Sequence, residues 1–145
     1  MKKYALLALI VLGTSTAAWA APWACVDVPA VVCGDTDVII KVGTCIPGTF
    51  EGCPEVKWCV KGSIIQVDMY LKRIDACHDA KYLCKDINLK KLCPGPYTVI
   101  ARVYVKDVGP CPFGGINVLT AVGYKCFTAK SCNPCCAPCW PVWPF

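Results

Sequence analysis

Asn88–Asp107 reads NLKKLCPGPYTVIARVYVKD, a turn followed by the longest clean two-residue alternation in the chain. Val99, Ala101, Val103 and Val105 fall on one face, and Thr98, Ile100, Arg102, Tyr104 and Lys106 on the other. One wholly apolar face backed by a mixed one is the pattern of a strand on the inner wall of a β-sandwich. Ser63–Arg73 repeats it, with Ile65, Val67, Met69 and Leu71 inward and Gln66, Asp68, Tyr70 and Lys72 outward. Thr36–Val42 does so with Val38, Ile40 and Val42. The class is all-β.

Working outward, Cys25–Cys33 is a β-branched run holding Pro29, which a central strand does not tolerate, so it reads as an edge strand. Gly34-Asp35 is a turn, and Thr44–Pro54 (TCIPGTFEGCP) is expected to be a loop turning at Pro47-Gly48 and clasped by Cys45 and Cys53. Val56–Val60 is a short strand carrying Trp58 and Cys59, with Trp58 expected in the core. Ile74–Leu92 is ambiguous. Ala76, Ala80, Leu83 and Ile87 have helical spacing, and an irregular or helical excursion closed by Cys77 and Cys84 is favoured over a short strand at Tyr82–Ile87. Val108–Gly115 is a Pro/Gly-rich loop containing Cys111, and Ile116–Ala129, with Cys126, is the last strand, pairing with 97–107 as a long-looped hairpin.

The first residues speak to compartment. Lys2 and Lys3 precede an apolar Ala5–Gly13, and Ala18-Trp19-Ala20 offers the small residues a signal peptidase reads. The apolar run is too short to span a bilayer, which takes roughly 20 residues. Pro22-Trp23-Ala24 before Cys25 does not resemble the box that precedes a lipidated cysteine. The expected organisation is a signal peptide over 1–20, a disulfide-stapled domain over 21–130 and a Cys/Pro/Trp-rich tail over 131–145. No membrane insertion is expected after cleavage, and the destination is the periplasm, the exterior or the cell surface.

All 14 cysteines of the 145-residue chain lie beyond that signal, a density typical of disulfide scaffolds in an oxidising space. The formal charge of +5 includes Lys2 and Lys3. What remains is too small and too evenly spread to favour nucleic acid or an anionic membrane. A chain this long already buries around two thirds of its surface on folding. Each disulfide adds about 2–4 kcal/mol against a typical total of about 5–15 kcal/mol. Complete pairing therefore exceeds what folding requires. The surplus points to resistance against proteases or harsh surroundings, or to covalent joining of chains.

Leu89-x-x-Leu92-x-Pro94-Gly95-Pro96-Tyr97-x-Val99 resembles the corner leading into the sixth strand of fibronectin type III and related immunoglobulin-like sandwiches. That resemblance implies a disulfide-rich immunoglobulin-like β-sandwich in which Tyr97 is the corner tyrosine, its hydroxyl bonding back to upstream backbone. It carries no site. Cys93 inside the corner and the long connection at 74–86 depart from the family pattern, and a Cys–Trp–Cys spacing is missing.

The densest chemistry lies in Cys132-Asn133-Pro134-Cys135-Cys136-Ala137-Pro138-Cys139. Three readings compete for Cys132, Cys135, Cys136 and Cys139. A metal–thiolate site has the right ligand type, but its two halves lack the usual intervening loop. A redox pair similar to that of thioredoxin-like oxidoreductases lacks the helix start that activates the attacking thiol. Structural disulfides are the bland reading, and adjacent Cys135 and Cys136 are poorly placed to bond each other. The same bland reading covers Cys25, Cys33, Cys45, Cys53, Cys59, Cys77, Cys84, Cys93, Cys111 and Cys126.

Trp140, Trp143 and Phe145 end the chain as an uncharged aromatic segment, either folded back over the sandwich or exposed as a docking peptide. His78, the single histidine, reads as a solvent-facing loop residue, and no catalytic motif or cofactor loop is present. The expected function is a secreted, non-catalytic structural or protein-interaction module with no cofactor. It self-associates or binds a protein through its tail cysteines. The alternatives are a metal–thiolate or thiol-redox protein and a secreted inhibitor or toxin-like effector that uses the Cys45–Cys53 loop.

Overall fold

A computed structural model describes residues 22–108 and 115–132. It contains β1 (Trp23–Asp27), β2 (Val31–Cys33), β3 (Ile39–Lys61), β4 (Ile64–Asn88), β5 (Gly95–Asp107) and β6 (Asn117–Lys130). They form one six-stranded sheet of order β1-β3-β4-β5-β6-β2. The sheet curls until β1, at one edge, reaches β6 near the other. The approach is close enough that a Cβ on Gly123 would lie 2.6 Å from the Ala24 carbonyl oxygen.

Pro29 falls between β1 and β2 and splits the expected single edge strand in two. The two pieces end up at the two opposite edges, β1 antiparallel to β3 and β2 parallel to β6. Parallel pairing also joins β4 to β5, with Ile65 beside Val99 and Met69 beside Val103. The sheet is thus mixed, whereas the resemblance implied two antiparallel layers.

β3 and β4 make one long hairpin, turned by Gly62-Ser63, where Gly62 takes φ 60° at the first loop position as a type II′ turn demands. Two expectations fail here. Thr44–Pro54 is not a loop but part of β3, and Ile74–Asn88 is not helical but part of β4. The turn signal at Pro47-Gly48 instead marks register shifts between Pro47 and Thr49 and between Thr49 and Phe50. Such bulges bend a strand without ending it. Of the helically spaced residues, Ile87 is buried while Ala76 and Ala80 are exposed, so the spacing marks no buried stripe. The antiparallel partner Ile39–Pro47 supplies the ladder that satisfies this backbone.

The bend lets one hairpin line two walls. Ile40, Val42 and Ile46 on its first arm and Ile65, Val67 and Met69 on its second are fully buried. Between them lie Val99, Ala101, Val103 and Val105 of β5 and Ala121, Phe127 and Ala129 of β6, as the alternation at 97–107 anticipated. Thr44, the buried polar residue of this core, donates its hydroxyl to the Trp23 carbonyl at 2.8 Å. Trp58 corrects another expectation. It is 40% exposed, because this part of β3 has β4 on one side and no further strand on the other among the described residues.

At the corner, the Tyr97 hydroxyl donates to the Cys93 carbonyl at 2.9 Å, and its ring stacks on Phe127 with centroids 5.5 Å apart. Tyr97→Phe keeps the stacking and loses the hydrogen bond. A loss of about 1 kcal/mol is expected, seen as a melting temperature lowered by a few degrees, with the strand signal in circular dichroism unchanged.

The bend is held from outside by Arg73. Its guanidinium donates twice to Asp107, at 2.6 and 3.1 Å, and to the Pro47 carbonyl at 3.4 Å. These bonds from Arg73, ahead of its charge, hold the Asp107 carboxyl below the usual carboxylate range, against the opposing effect of partial burial. A depressed folded value means the pair stabilises above the unfolded carboxyl pKa and fades as pH falls through the folded one. Asp107→Asn should therefore lower stability at neutral pH by under about 1 kcal/mol, since Asp107 is half exposed. The gap to the parent should close in melts run below about pH 4.

Candidate functional site

The chemistry of this chain is sulfur chemistry, and the fold sorts the cysteines by position. Cys33 and Cys132 form a disulfide with Cα atoms 5.6 Å apart across a sequence separation of 99. Asp35 sets up this meeting, accepting from the Ser131 hydroxyl at 3.1 Å and the Cys132 amide at 2.6 Å. Cys132 is thereby removed from any thiolate set while the bond stands. Cys111, Cys135, Cys136, Cys139, Trp140, Trp143 and Phe145 lie outside the described residues.

Apart from Cys93, which precedes β5, the remaining described cysteines sit on strands. Cys25, Cys45, Cys53, Cys59, Cys77, Cys84 and Cys126 are free thiols, with Cys53, Cys77, Cys84 and Cys126 exposed. The two clasps expected from spacing do not form. Cys45 and Cys53 lie along β3, and Cys77 and Cys84 along β4, so extended backbone separates the members of each pair.

The paired residues of each ladder explain why no other bond replaces them. Cys25 and Cys84 both face Gly43, Cys45 faces Trp23 and Tyr82, Cys59 faces Gln66, and Cys126 faces Thr98. Cys25 and Cys84 are two strand spacings apart, about 9–10 Å, beyond disulfide reach. Cys45 is diagonal to both, at the roughly 7–8 Å typical of such neighbours, again too far without backbone movement.

Around Gly43 these residues make a recognisable patch on the outer face. The Tyr82 ring lies over Gly43, where an added Cβ would come within 2.9 Å of ring carbon Cζ. Trp23 packs beside it with centroids 6.0 Å apart. Packing against the sheet pushes the Tyr82 phenol above its ordinary pKa. Cys25 beside it acts in the same direction, as do Cys84 and Asp27, because a phenolate there would face other anions. The loop expected over Thr44–Pro54 hides this patch from the sequence. With 41–45 as strand, the alternation of Lys41, Gly43 and Cys45 would have placed them on one face.

A second outer-face feature runs across β3, β4 and β5. The Lys57 ammonium lies 5.4 Å from the centroid of Tyr70, which stacks on Tyr104 at 5.2 Å. Arg102 covers Tyr104 at 5.7 Å while donating to both carboxylate oxygens of Asp68 at 2.7 and 2.9 Å. Leu119, Val122 and Tyr124 continue this surface on β6 and are exposed. Among the described residues no cluster of three or more His, Cys, Asp or Glu has metal-binding geometry. His78 lies on β4 rather than on a loop.

No protein-family model, characterised protein or solved structure matches this chain.

The Tyr82 arrangement is open to a direct check. In an absorbance titration at 295 nm, the difference between the parent and Tyr82→Phe should ionise above the ordinary phenol value of about 10. Gly43→Ala, which evicts the ring, should bring it back toward that value.

Proposed function

We propose that this chain is a secreted, non-catalytic structural or protein-interaction module that is joined covalently to other chains through its cysteines at a cell surface or in the periplasm. One observation carries the reading: exposed thiols stand on rigid strands with no cysteine opposite them on any neighbouring strand. In an oxidising space such thiols do not stay reduced, and their geometry favours sulfurs from outside the chain over sulfurs within it. The leader-like first 20 residues are the argument for that space.

The surface running from the half-buried Tyr70–Tyr104 stack to the exposed Leu119, Val122 and Tyr124 suits protein contact, since stacked tyrosines offer large area at small entropic cost. We take the sheet as a curled relative of the immunoglobulin-like plan, and the Tyr97–Cys93 hydrogen bond is what supports this. The metal–thiolate and redox reading is weakened by the engagement of Cys132 with Cys33. The inhibitor or toxin reading loses the clasped loop on which it stood.

Gel mobility tests the proposal. After oxidation, the purified chain should run as dimers and higher species without reductant and collapse to one monomer band with it. A monomer under both conditions, with no thiol titratable by Ellman reagent, would show every bridge to be internal and end the reading.

A further inference from the structure

The partner in that cross-linking, we infer, is a second copy of this chain, added antiparallel along the open edge of β3 so that Cys53 of each copy meets Cys59 of the other. The inference rests on the cross-linked reading above and names its partner and its bond.

The edge is available. β3 pairs with β1 only at 41–45, so from Thr49 to Lys61 it has β4 on one side and, among the described residues, no strand on the other. A long unpaired edge is a template for strand addition unless something blunts it. Here the blunting devices are lysines, a proline and a bulge, in the sequence Glu51-Gly52-Cys53-Pro54-Glu55-Val56-Lys57-Trp58-Cys59-Val60-Lys61.

That sequence is self-complementary about Val56. A two-fold antiparallel pairing centred there sets Glu55 against Lys57 of the other copy, and Lys57 against its Glu55. It also brings Cys59 alongside the bulge that carries Cys53. The register shift between Glu51 and Glu55 compresses this stretch into two ladder positions of β4, from Lys72 to Tyr70. Cys53 is thus drawn to within about one residue step of the position Cys59 faces.

The neighbouring registers are disfavoured by the same charges. A shift of two residues one way opposes Glu55 to Glu55, and the other way Lys57 to Lys57. Like charges directly opposite destabilise a pair of strands, so the lysine that guards the edge against other partners selects one register for this one. On the inner face the same pairing covers Trp58 and Val60, which are 40% and 38% exposed in the single chain.

Two symmetric bridges follow, and each needs an oxidant. A low-molecular-weight disulfide suffices. One cysteine thiolate attacks it and releases one small thiol, and the partner's thiolate then displaces the second. Two protein thiols are oxidised and one small disulfide is reduced to two thiols.

The test mixes reduced full-length chain at natural abundance with an equal amount labelled with nitrogen-15, and oxidises with glutathione disulfide. Trypsin cuts after Lys57, which places Cys53 and Cys59 on different peptides. A Cys53–Cys59 linked peptide of hybrid isotopic mass is expected. Glu55→Lys, which keeps the cut after Lys57 and sets lysine against lysine, should lower its yield at least ~10-fold, and the double change Glu55→Lys with Lys57→Glu, which trypsin cuts after position 55, should restore it to within about 2-fold. A linked peptide with no hybrid mass, or one undiminished in Glu55→Lys, overturns the pairing. Hybrid peptides carrying Cys84 or Cys126 without Cys53–Cys59 would leave the cross-linked module standing and remove this edge. A chain that is monomeric throughout would remove both.

Discussion

The bend in β3 at Pro47–Thr49 is the constraint on which the rest of the structure depends. A straight 23-residue strand would be about 75 Å long, several times the radius of a domain this size. It could not keep its apolar face in one core. Bending lets Ile40 and Val42 face Val67 and Met69 of the same hairpin through a shared interior. Gly48, at φ 131°, makes this possible, because a Cβ there would lie 2.6 Å from both the Arg73 side chain and the Asp75 carbonyl oxygen. Arg73 can then reach the Pro47 carbonyl and Asp107 together, tying the bend to the end of β5.

The strands that alternate cleanly could be read from the residues alone. Val99–Val105 and Ile65–Leu71 are buried on the expected faces, because each lies in the middle of the sheet, where one side must be apolar. Tyr97 was readable for a different reason: a hydroxyl beside a Pro-Gly turn has few places to go but the backbone upstream. The errors cluster where local signals and long-range pairing disagree. Pro47-Gly48 looks like a chain reversal, yet its partner strand continues past it and turns the break into a bulge. Ala76 and Ala80 look helical only if their exposure is unknown. Trp58 looks like core until the strand carrying it proves to be an edge.

The cysteines show why a candidate site was harder to find than the fold. Spacing along the chain suggested Cys45 with Cys53 and Cys77 with Cys84, because in a loop or helix such intervals bring side chains together. In an extended strand the same intervals carry them far apart. What places sulfurs near one another here is register between strands, and register follows from the whole sheet. The outcome is a division of labour. The apolar interior, with Thr44 its buried polar member and that group satisfied, holds the fold, while the thiols stand on surfaces where they contribute little to it.

The bond between Cys33 and Cys132 has one more consequence, a mechanical one. It spans 99 residues and closes β3, β4, β5 and β6 into a covalent ring. Tension entering the chain ahead of Cys33 and leaving after Cys132 loads the pairings of β1 and of Val31 and Val32, but it then passes through two sulfur atoms and bypasses the ladders that join β3, β4, β5 and β6. The ring would unzip only after that bond had been reduced. A layer built from such units could be stretched through its ends with β3 to β6 carried along unstressed, and its tensile strength would be set by the redox state of its surroundings.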